Sequence, residues 1–198
     1  MSLSHSEDLD LGKDPGRVRP EDRHRQVATV NALLASFTGP KSHRRELQVL
    51  ADEVGLGKTF VALATAYSIL KAITQRDPTL DQEDIHKGYR AVLVIVPSQT
   101  LAKKWEREVE AMRARCSVDP AATDWFTGKA CASATDLYEF LVKASDRRRK
   151  PAENPCVLIC TGNIFTKRMV DQEPRLRFLA ACLFRWWGNL LSKHERHR

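Results

Sequence analysis

The stretch DEVGLGKT, residues Asp52–Thr59, decides the fold class of this 198-residue chain. It follows the short apolar run Leu47–Ala51, which predicts a buried strand, and it leads into a helix from about Lys58 to Ile73. That helix carries apolar side chains almost all round, which is typical of a helix buried on every side. A strand, a glycine-containing loop and a buried helix in this order predict the first unit of an α/β fold.

The end of this stretch has the residue types that bind phosphate. Gly55 and Gly57 let backbone N–H groups approach phosphate oxygens, Lys58 supplies a cation, and the hydroxyl of Thr59 suits Mg²⁺. The strict phosphate-loop pattern has glycine where this chain has Asp52, so the match by spacing is partial. The alternative is a plain glycine turn with a solvated lysine, but a lysine at a helix N-terminus is unfavourable without an anion.

The rest of the chain continues the alternation of strands and helices. The run AVLVIV, Ala91–Val96, is the β-branched type found in parallel sheets, and CVLIC, Cys156–Cys160, predicts a further strand. Helices are predicted over about 21–37, 100–115 and 134–144. We therefore expect an α/β fold with a parallel sheet flanked by helices.

Composition divides the chain into three parts. Residues 1–20 are rich in Ser, Asp, Gly and Pro and predict a disordered or loosely attached arm, and residues 21–173 predict the folded lobe. Residues 174–198 form a basic, aromatic tail. This tail is an amphipathic helix covering the sheet, apolar surface left where another lobe packs, or a membrane-surface helix; an early stop or a change of reading frame is a further alternative.

Charge and cysteine content narrow the class of protein. The 32 Lys and Arg against 25 Asp and Glu give a net charge of +7, which is compatible with a polyanionic partner. The longest apolar stretches are far shorter than a membrane span, and the N-terminus has no signal-peptide core. Five cysteines are an odd number, which favours reduced thiols. We expect a cytoplasmic or otherwise intracellular protein, nuclear in a eukaryote, with no membrane partner.

Four segments together resemble one family. Asp52–Thr59 closely resembles motif I of Swi/Snf-type ATPases, which are superfamily 2 helicase-like DNA translocases with an acidic pair in place of the first glycine. IVPSQTLAKKWEREVE, Ile95–Glu110, resembles motif Ia of that family. Cys156–Gly162 is similar to a later strand-then-threonine segment, and Arg23–Gln26 resembles the helicase Q motif, with arginine between His24 and Gln26 as a departure. The resemblance implies an incomplete RecA-like P-loop NTPase lobe over roughly residues 20–170.

The resemblance also implies a binding site for ATP and Mg²⁺. Its nucleotide-binding residues would be Gly55, Leu56, Gly57, Lys58, Thr59 and Gln26. The glycine loop would give backbone donors, Lys58 would hold phosphate, and Thr59 would reach Mg²⁺ through ATP. Gln26 would contact the adenine.

DNA is the macromolecular partner that the resemblance implies, double-stranded and bound through its backbone. Ser98, Lys104 and Thr161 would lie near DNA phosphates. The start of a helix at Ser98 is a plausible phosphate site, and an ordinary helix cap is the alternative. Trp105 lies on the apolar stripe of its helix, which favours a core anchor over a base-stacking platform.

The functional expectation is the first lobe of a DNA-dependent ATPase that couples ATP hydrolysis to movement on DNA when complete. No catalytic residue is identified, because no DEAH-type box follows motif Ia; the best candidate, Asp171–Glu173, comes after basic residues that break a buried strand. A missing second lobe or a full-length relative is a possible partner. The alternatives are a non-hydrolysing ATP- or DNA-binding regulatory module left by truncation, and a P-loop NTPase of another family.

Overall fold

The computed structural model describes residues 3–14, 18–51, 57–81, 91–145 and 155–166 of the chain. Residues 167–198, which include the predicted basic tail, and the loop residues 52–56 lie outside this described part. The elements in chain order are α1 (Pro20–Thr38), α2 (Lys58–Gln75), β1 (Val92–Val96), α3 (Gln99–Cys116), α4 (Pro120–Thr123), β2 (Gly128–Ala130), α5 (Ala134–Ser145), β3 (Val157–Thr161) and α6 (Asn163–Thr166).

The three described strands form one parallel sheet in the order β1-β3-β2. Val92 pairs with Val157 and Val96 with Thr161 between β1 and β3, while β2 runs from Gly128, opposite Val157, on the other edge of β3. The central strand β3 is buried along its whole length, as expected of a strand with both faces covered. A parallel sheet flanked by helices confirms the predicted α/β fold class.

The main core lies between the sheet and the helices α1, α2 and α3. Helix α3 packs across all three strands, and α2 packs against both α1 and α3. The α2 side chains are buried on most sides of the helix, as the sequence predicts. Tyr67 on α2 stacks on Trp125 at a ring-centroid distance of 5.1 Å, and its edge meets Phe126. These aromatic contacts attach the segment before β2 to the helical layer.

Helix α3 is amphipathic, as its apolar stripe predicts. Val109 and Met112 are fully buried, and Trp105 is a partly buried member of the main core, which confirms the core-anchor interpretation. The sequence did not predict the short strand β2, which lacks an apolar run. Its Gly128 packs closely on α3, because an added Cβ there would lie 2.9 Å from Val109 Cγ2. The strand therefore depends on a close backbone approach rather than on its own side chains.

The prediction of a loosely attached N-terminal arm is wrong for residues 3–14. Leu9 and Leu11 are buried in the main core. The Asp10 amide donates a 2.7 Å hydrogen bond to the carbonyl of Cys116 at the end of α3, and Leu9 forms a bridge with Ser117. Two well-placed leucines and backbone pairing are enough to hold a segment whose composition is otherwise polar. We call residues 3–14 the N-terminal strap.

Asp8 of the strap has two polar partners on α2. Lys71 Nζ and the Tyr67 hydroxyl both lie 2.6 Å from Asp8 Oδ2, where each donates a hydrogen bond or completes an ion pair. Partial burial opposes ionisation of Asp8, but the hydrogen bonds from Lys71 and Tyr67 outweigh it and lower the pKa of this carboxyl. Burial and the nearby Asp8 charge raise the pKa of Tyr67. The strap is therefore fixed by a charged network as well as by its leucines.

The predicted strand Leu47–Ala51 is also wrong. The segment has no regular secondary structure, and the side chains of Leu47 and Val49 are 79% and 80% exposed. Only Leu50 packs against the main core. An apolar run becomes a strand when another strand pairs with it, and no strand among the described residues does so.

The described cysteines are free and buried: Cys116, Cys131, Cys156 and Cys160. Burial raises the pKa of Cys156 to about 12 and the pKa values of Cys116 and Cys131 to about 11. These thiols are therefore protonated at neutral pH. Within the described ranges, no helix has both the length and the apolar character to cross a membrane.

Candidate functional site

The candidate site begins where the glycine loop meets α2. Gly57 caps the helix in the left-handed region, with φ of 81°, a conformation that glycine adopts at little cost. Lys58 and Thr59 are the first two residues of α2, and both are half-buried. Gly55 and Leu56, which the sequence also assigned to the site, lie outside the described residues.

The first turn of α2 has the electrostatic character of an anion site. It contains no acidic residue, and the N-cap residue, Gly57, has no side chain that could cap it. The positive end of the helix dipole and the positive charge of the Lys58 ammonium therefore lie at the same end of α2. The start of a helix with a lysine in its first turn can bind a negative group such as a phosphate.

Gln26 lies against Gly57. It sits on α1, is buried, and comes so close that a Cβ on Gly57 would overlap its Nε2. Packing of α1 on α2 brings the two residues together across 31 positions of sequence. The Gln26 amide offers both a donor and an acceptor, which is the pair that the edge of adenine requires. The structure thus places the predicted base-reading residue beside the predicted phosphate-binding residues.

The donor set fits ATP with Mg²⁺ better than it fits a metal ion alone. Backbone N–H groups, one lysine and one threonine hydroxyl bind phosphate oxygens, and phosphates supply most of the ligands of a nucleotide-bound Mg²⁺. A Cβ at Gly57 would collide with the side-chain amide of Gln26, so glycine at this position permits the contact between α1 and the start of α2. In the described part of the chain, no group of three or more His, Cys, Asp and Glu side chains could hold a metal.

Sequence reasoning did not anticipate a small cavity next to α2. It has a volume of about 90 Å³ and lies between the strap, α2 and the end of α3. The lining residues are Leu11, Asp14, Val18, Phe60, Arg115 and Cys116. This volume is well below the roughly 300 Å³ of typical ligand pockets, so the cavity does not hold a nucleotide by itself.

The three candidate DNA contacts fall on two elements. Thr161 ends β3 opposite Val96, and Ser98 begins α3 two residues after β1, so both lie at the carboxyl ends of the strands. Lys104 is exposed in the second turn of α3. The Ser98 hydroxyl accepts a 3.2 Å hydrogen bond from the Leu101 amide, which confirms that it caps α3. Its own O–H is still available to donate to a phosphate.

The described residues of the site include none that the sequence analysis assigned to ATP hydrolysis. The sequence identified no DEAH-type box, and its best candidate, Asp171–Glu173, lies outside the described residues. The described site therefore contains groups for binding a nucleotide and its phosphates.

Comparison with known proteins gives one match. Residues 39–149, more than half of the chain, match the SNF2-related domain, and this range includes the glycine loop, α2, β1 and α3. Gln26 precedes the matched range. No curated protein and no solved structure matches the chain. With the parallel sheet and the loop–helix junction already described, the match establishes that the chain belongs to the SNF2-related family, the Swi/Snf-type helicase-like ATPases, and contains sequence of the N-terminal RecA-like lobe.

Proposed function

We propose that this chain is the ATP-binding first lobe of a DNA-dependent translocase, which couples ATP hydrolysis to movement on double-stranded DNA when further groups complete it. The contact between Gln26 and Gly57, next to Lys58, carries this proposal. It unites a group that reads a base with groups that bind phosphate, although they come from separate helices. The family membership supports the same assignment.

Each residue of the site has a defined task in this proposal. Lys58 neutralises the β- and γ-phosphates, and the backbone of Gly55–Gly57 donates to phosphate oxygens. Thr59 holds Mg²⁺ that arrives with ATP, and Gln26 pairs with the adenine edge. ATP supplies a phosphoanhydride bond whose cleavage drives movement in this family.

Turnover requires groups that this sequence does not reveal. An acidic pair that holds Mg²⁺ and orients water, and an arginine finger from a second lobe, would have to act with the site. We therefore expect the isolated chain to bind ATP without appreciable hydrolysis. The same behaviour fits the alternative of a non-hydrolysing regulatory module, and restored DNA-stimulated hydrolysis on adding a second lobe would separate the two.

DNA binding is proposed through the carboxyl ends of the strands. The hydroxyls of Ser98 and Thr161 and the ammonium of Lys104 are groups that contact phosphates without reading sequence. Binding of this kind weakens steeply as the salt concentration rises, because bound cations are released from the DNA. The intracellular location expected from the cysteines stays a prediction.

Calorimetric titration of Mg-ATP tests the nucleotide site. We expect binding by the wild-type chain and affinity about ten- to a hundredfold weaker in Lys58→Ala, since a charge-assisted phosphate contact contributes about 1.5–3 kcal/mol. Lys103→Ala, an exposed lysine on α3, is the matched control and should bind as the wild type does. Equal affinity in all three proteins, or no binding by a wild-type chain that circular dichroism shows to be folded, would contradict the proposal.

A further inference from the structure

The N-terminal strap reaches the starts of both helices that carry the candidate nucleotide site. Asp10 Oδ1 lies 2.9 Å from Arg23 Nε, in the first turn of α1. The next strap residue, Leu11, lines the small cavity together with Phe60, which lies in the first turn of α2. Strap residues 10–12 therefore connect the helix end before Gln26 with the helix end that follows Gly57.

Gly12 gives the Arg23 side chain the room to reach Asp10. A Cβ at Gly12 would overlap Cδ of Arg23 and lie 2.8 Å from its Cγ. The Gly12 amide also donates a 2.9 Å hydrogen bond to Asp10 Oδ1, the same oxygen that accepts from Arg23 Nε. The Arg23 side chain thus passes close over a backbone that has no side chain of its own. We call Asp10, Gly12 and Arg23 the strap clasp.

The part of α1 that the clasp contacts has little other support. The buried residues of α1 begin at Gln26, and none of residues 20–25 is buried. A helix end with few buried contacts opens more readily than a packed one. The strap contacts α1 again beyond Gln26, where the His5 amide donates a 2.7 Å hydrogen bond to Asn31 Oδ1. Strap contacts therefore lie on both sides of Gln26 along the helix.

We propose that the strap clasp positions the Gln26 amide against the start of α2 and thereby sets the base preference of the nucleotide site. The inference rests on the proposed nucleotide function. Asp10 and Arg23 are positioning residues, because they act through the helix that carries Gln26. Their side chains are 33% and 50% exposed, and an exposed ion pair contributes little to global stability. Breaking the clasp should therefore loosen the first turns of α1 while the protein stays folded.

Calorimetric titration of the full chain with Mg-ATP, Mg-GTP and Mg-tripolyphosphate tests the proposal. Gly12→Ala should reduce the preference for ATP over GTP by about two- to fivefold, the range expected for losing an exposed ion pair. It changes no charge and should leave the affinity for tripolyphosphate unaltered, a separation that general destabilisation would not produce. Glu7→Ala, which removes an exposed carboxylate of the strap, is the control and should keep the preference.

A second variant covers the case in which the added methyl group disturbs the strap itself. Arg23→Ala adds no atoms and should reduce the preference for ATP to the same extent. Because the three atoms nearest to a Cβ at Gly12 all belong to Arg23, Gly12→Ala should have no further effect in the Arg23→Ala background. An ATP preference that survives in both single variants would overturn the inference and leave the proposed nucleotide function intact.

Hydrogen exchange without nucleotide, read by mass spectrometry, tests the positioning separately from binding. Amides in peptides that cover residues 20–26 should exchange about two- to fivefold faster in Gly12→Ala and Arg23→Ala, whereas those of residues 30–38 should not change. Unchanged exchange of residues 20–26 in both variants would overturn the inference. Absence of nucleotide binding by the folded wild type would instead contradict the proposed function, and the exchange rates alone would then decide whether the clasp positions α1.

Discussion

The N-terminal strap is more buried than its sequence predicts, and the Leu47–Ala51 segment is more exposed than its sequence predicts. The strap, residues 3–14, is polar in composition, yet its Leu9 and Leu11 are among the most buried side chains of the protein. Leu47–Ala51 is apolar, yet its Leu47 and Val49 are almost fully exposed. The strap has partners on α2 and at the end of α3, whereas the described fold offers Leu47–Ala51 no neighbouring strand. In these two segments, burial follows the available packing partners more closely than it follows local composition.

Paired leucine substitutions give the largest expected effect on this comparison. Leu11→Ala should lower the free energy of unfolding by about 2–5 kcal/mol, because it removes buried methyl groups and leaves a cavity. Leu47→Ala should change it by less than about 0.5 kcal/mol, because the side chain is already in water. Urea denaturation followed by circular dichroism measures both. Similar losses from the two substitutions would mean that Leu47 is buried in solution and that the comparison fails.

Removing the Tyr67 hydroxyl has a smaller expected effect. In Tyr67→Phe, Asp8 keeps its ion pair with Lys71 but loses the hydrogen bond from the Tyr67 hydroxyl, and loss of a hydrogen bond to a charged group costs about 1.5–3 kcal/mol. Tyr138→Phe on α5 is the matched control and should be near neutral. Urea denaturation again gives the result, and an unchanged stability in Tyr67→Phe would show that the strap is not held by this network.

The pH dependence of stability reports on the Asp8 charge, and we expect it to be the smallest of these effects because solvent screens a partly exposed charge. Because the native pKa of Asp8 lies below its usual value of 3.8, its contribution is fully present above pH 3.8. It is then lost as the pH falls through the lower native pKa. The difference in stability between the wild type and Asp8→Asn should therefore be constant near neutral pH and shrink below pH 3.8. A difference that does not change over this range would contradict the assigned role of the charge.

Regular elements were largely predictable from the sequence because each carries its own signal. The apolar stripe of α3, the all-round apolar α2 and the β-branched run of β1 specify their conformations locally. The packing of the strap could not be predicted, since it depends on Tyr67 and Lys71 about 60 residues away. The strand β2 was missed because three residues with a glycine carry no strand pattern.

The candidate site also combines residues that local sequence predicts with a contact that only tertiary packing produces. Gly57, Lys58 and Thr59 were identified from their spacing, which alone determines a glycine turn followed by a lysine at a helix start. Gln26 was assigned only through a resemblance, and its contact with Gly57 arises from the packing of α1 on α2. The DNA-contact assignments of Ser98, Lys104 and Thr161 stay predictions.

We propose that Gln26 and the start of α2 form one nucleotide site, and the claim can be tested by comparing the binding of ATP with that of GTP. Calorimetry with the Mg²⁺ complexes should show wild-type preference for ATP by about tenfold, because a mispaired amide at the base edge costs about 1–3 kcal/mol. Gln26→Ala should lose the preference, and Gln75→Ala, an exposed glutamine at the far end of α2, should retain it. A preference for ATP that survives in Gln26→Ala would contradict the claim, as would equal wild-type affinity for both nucleotides.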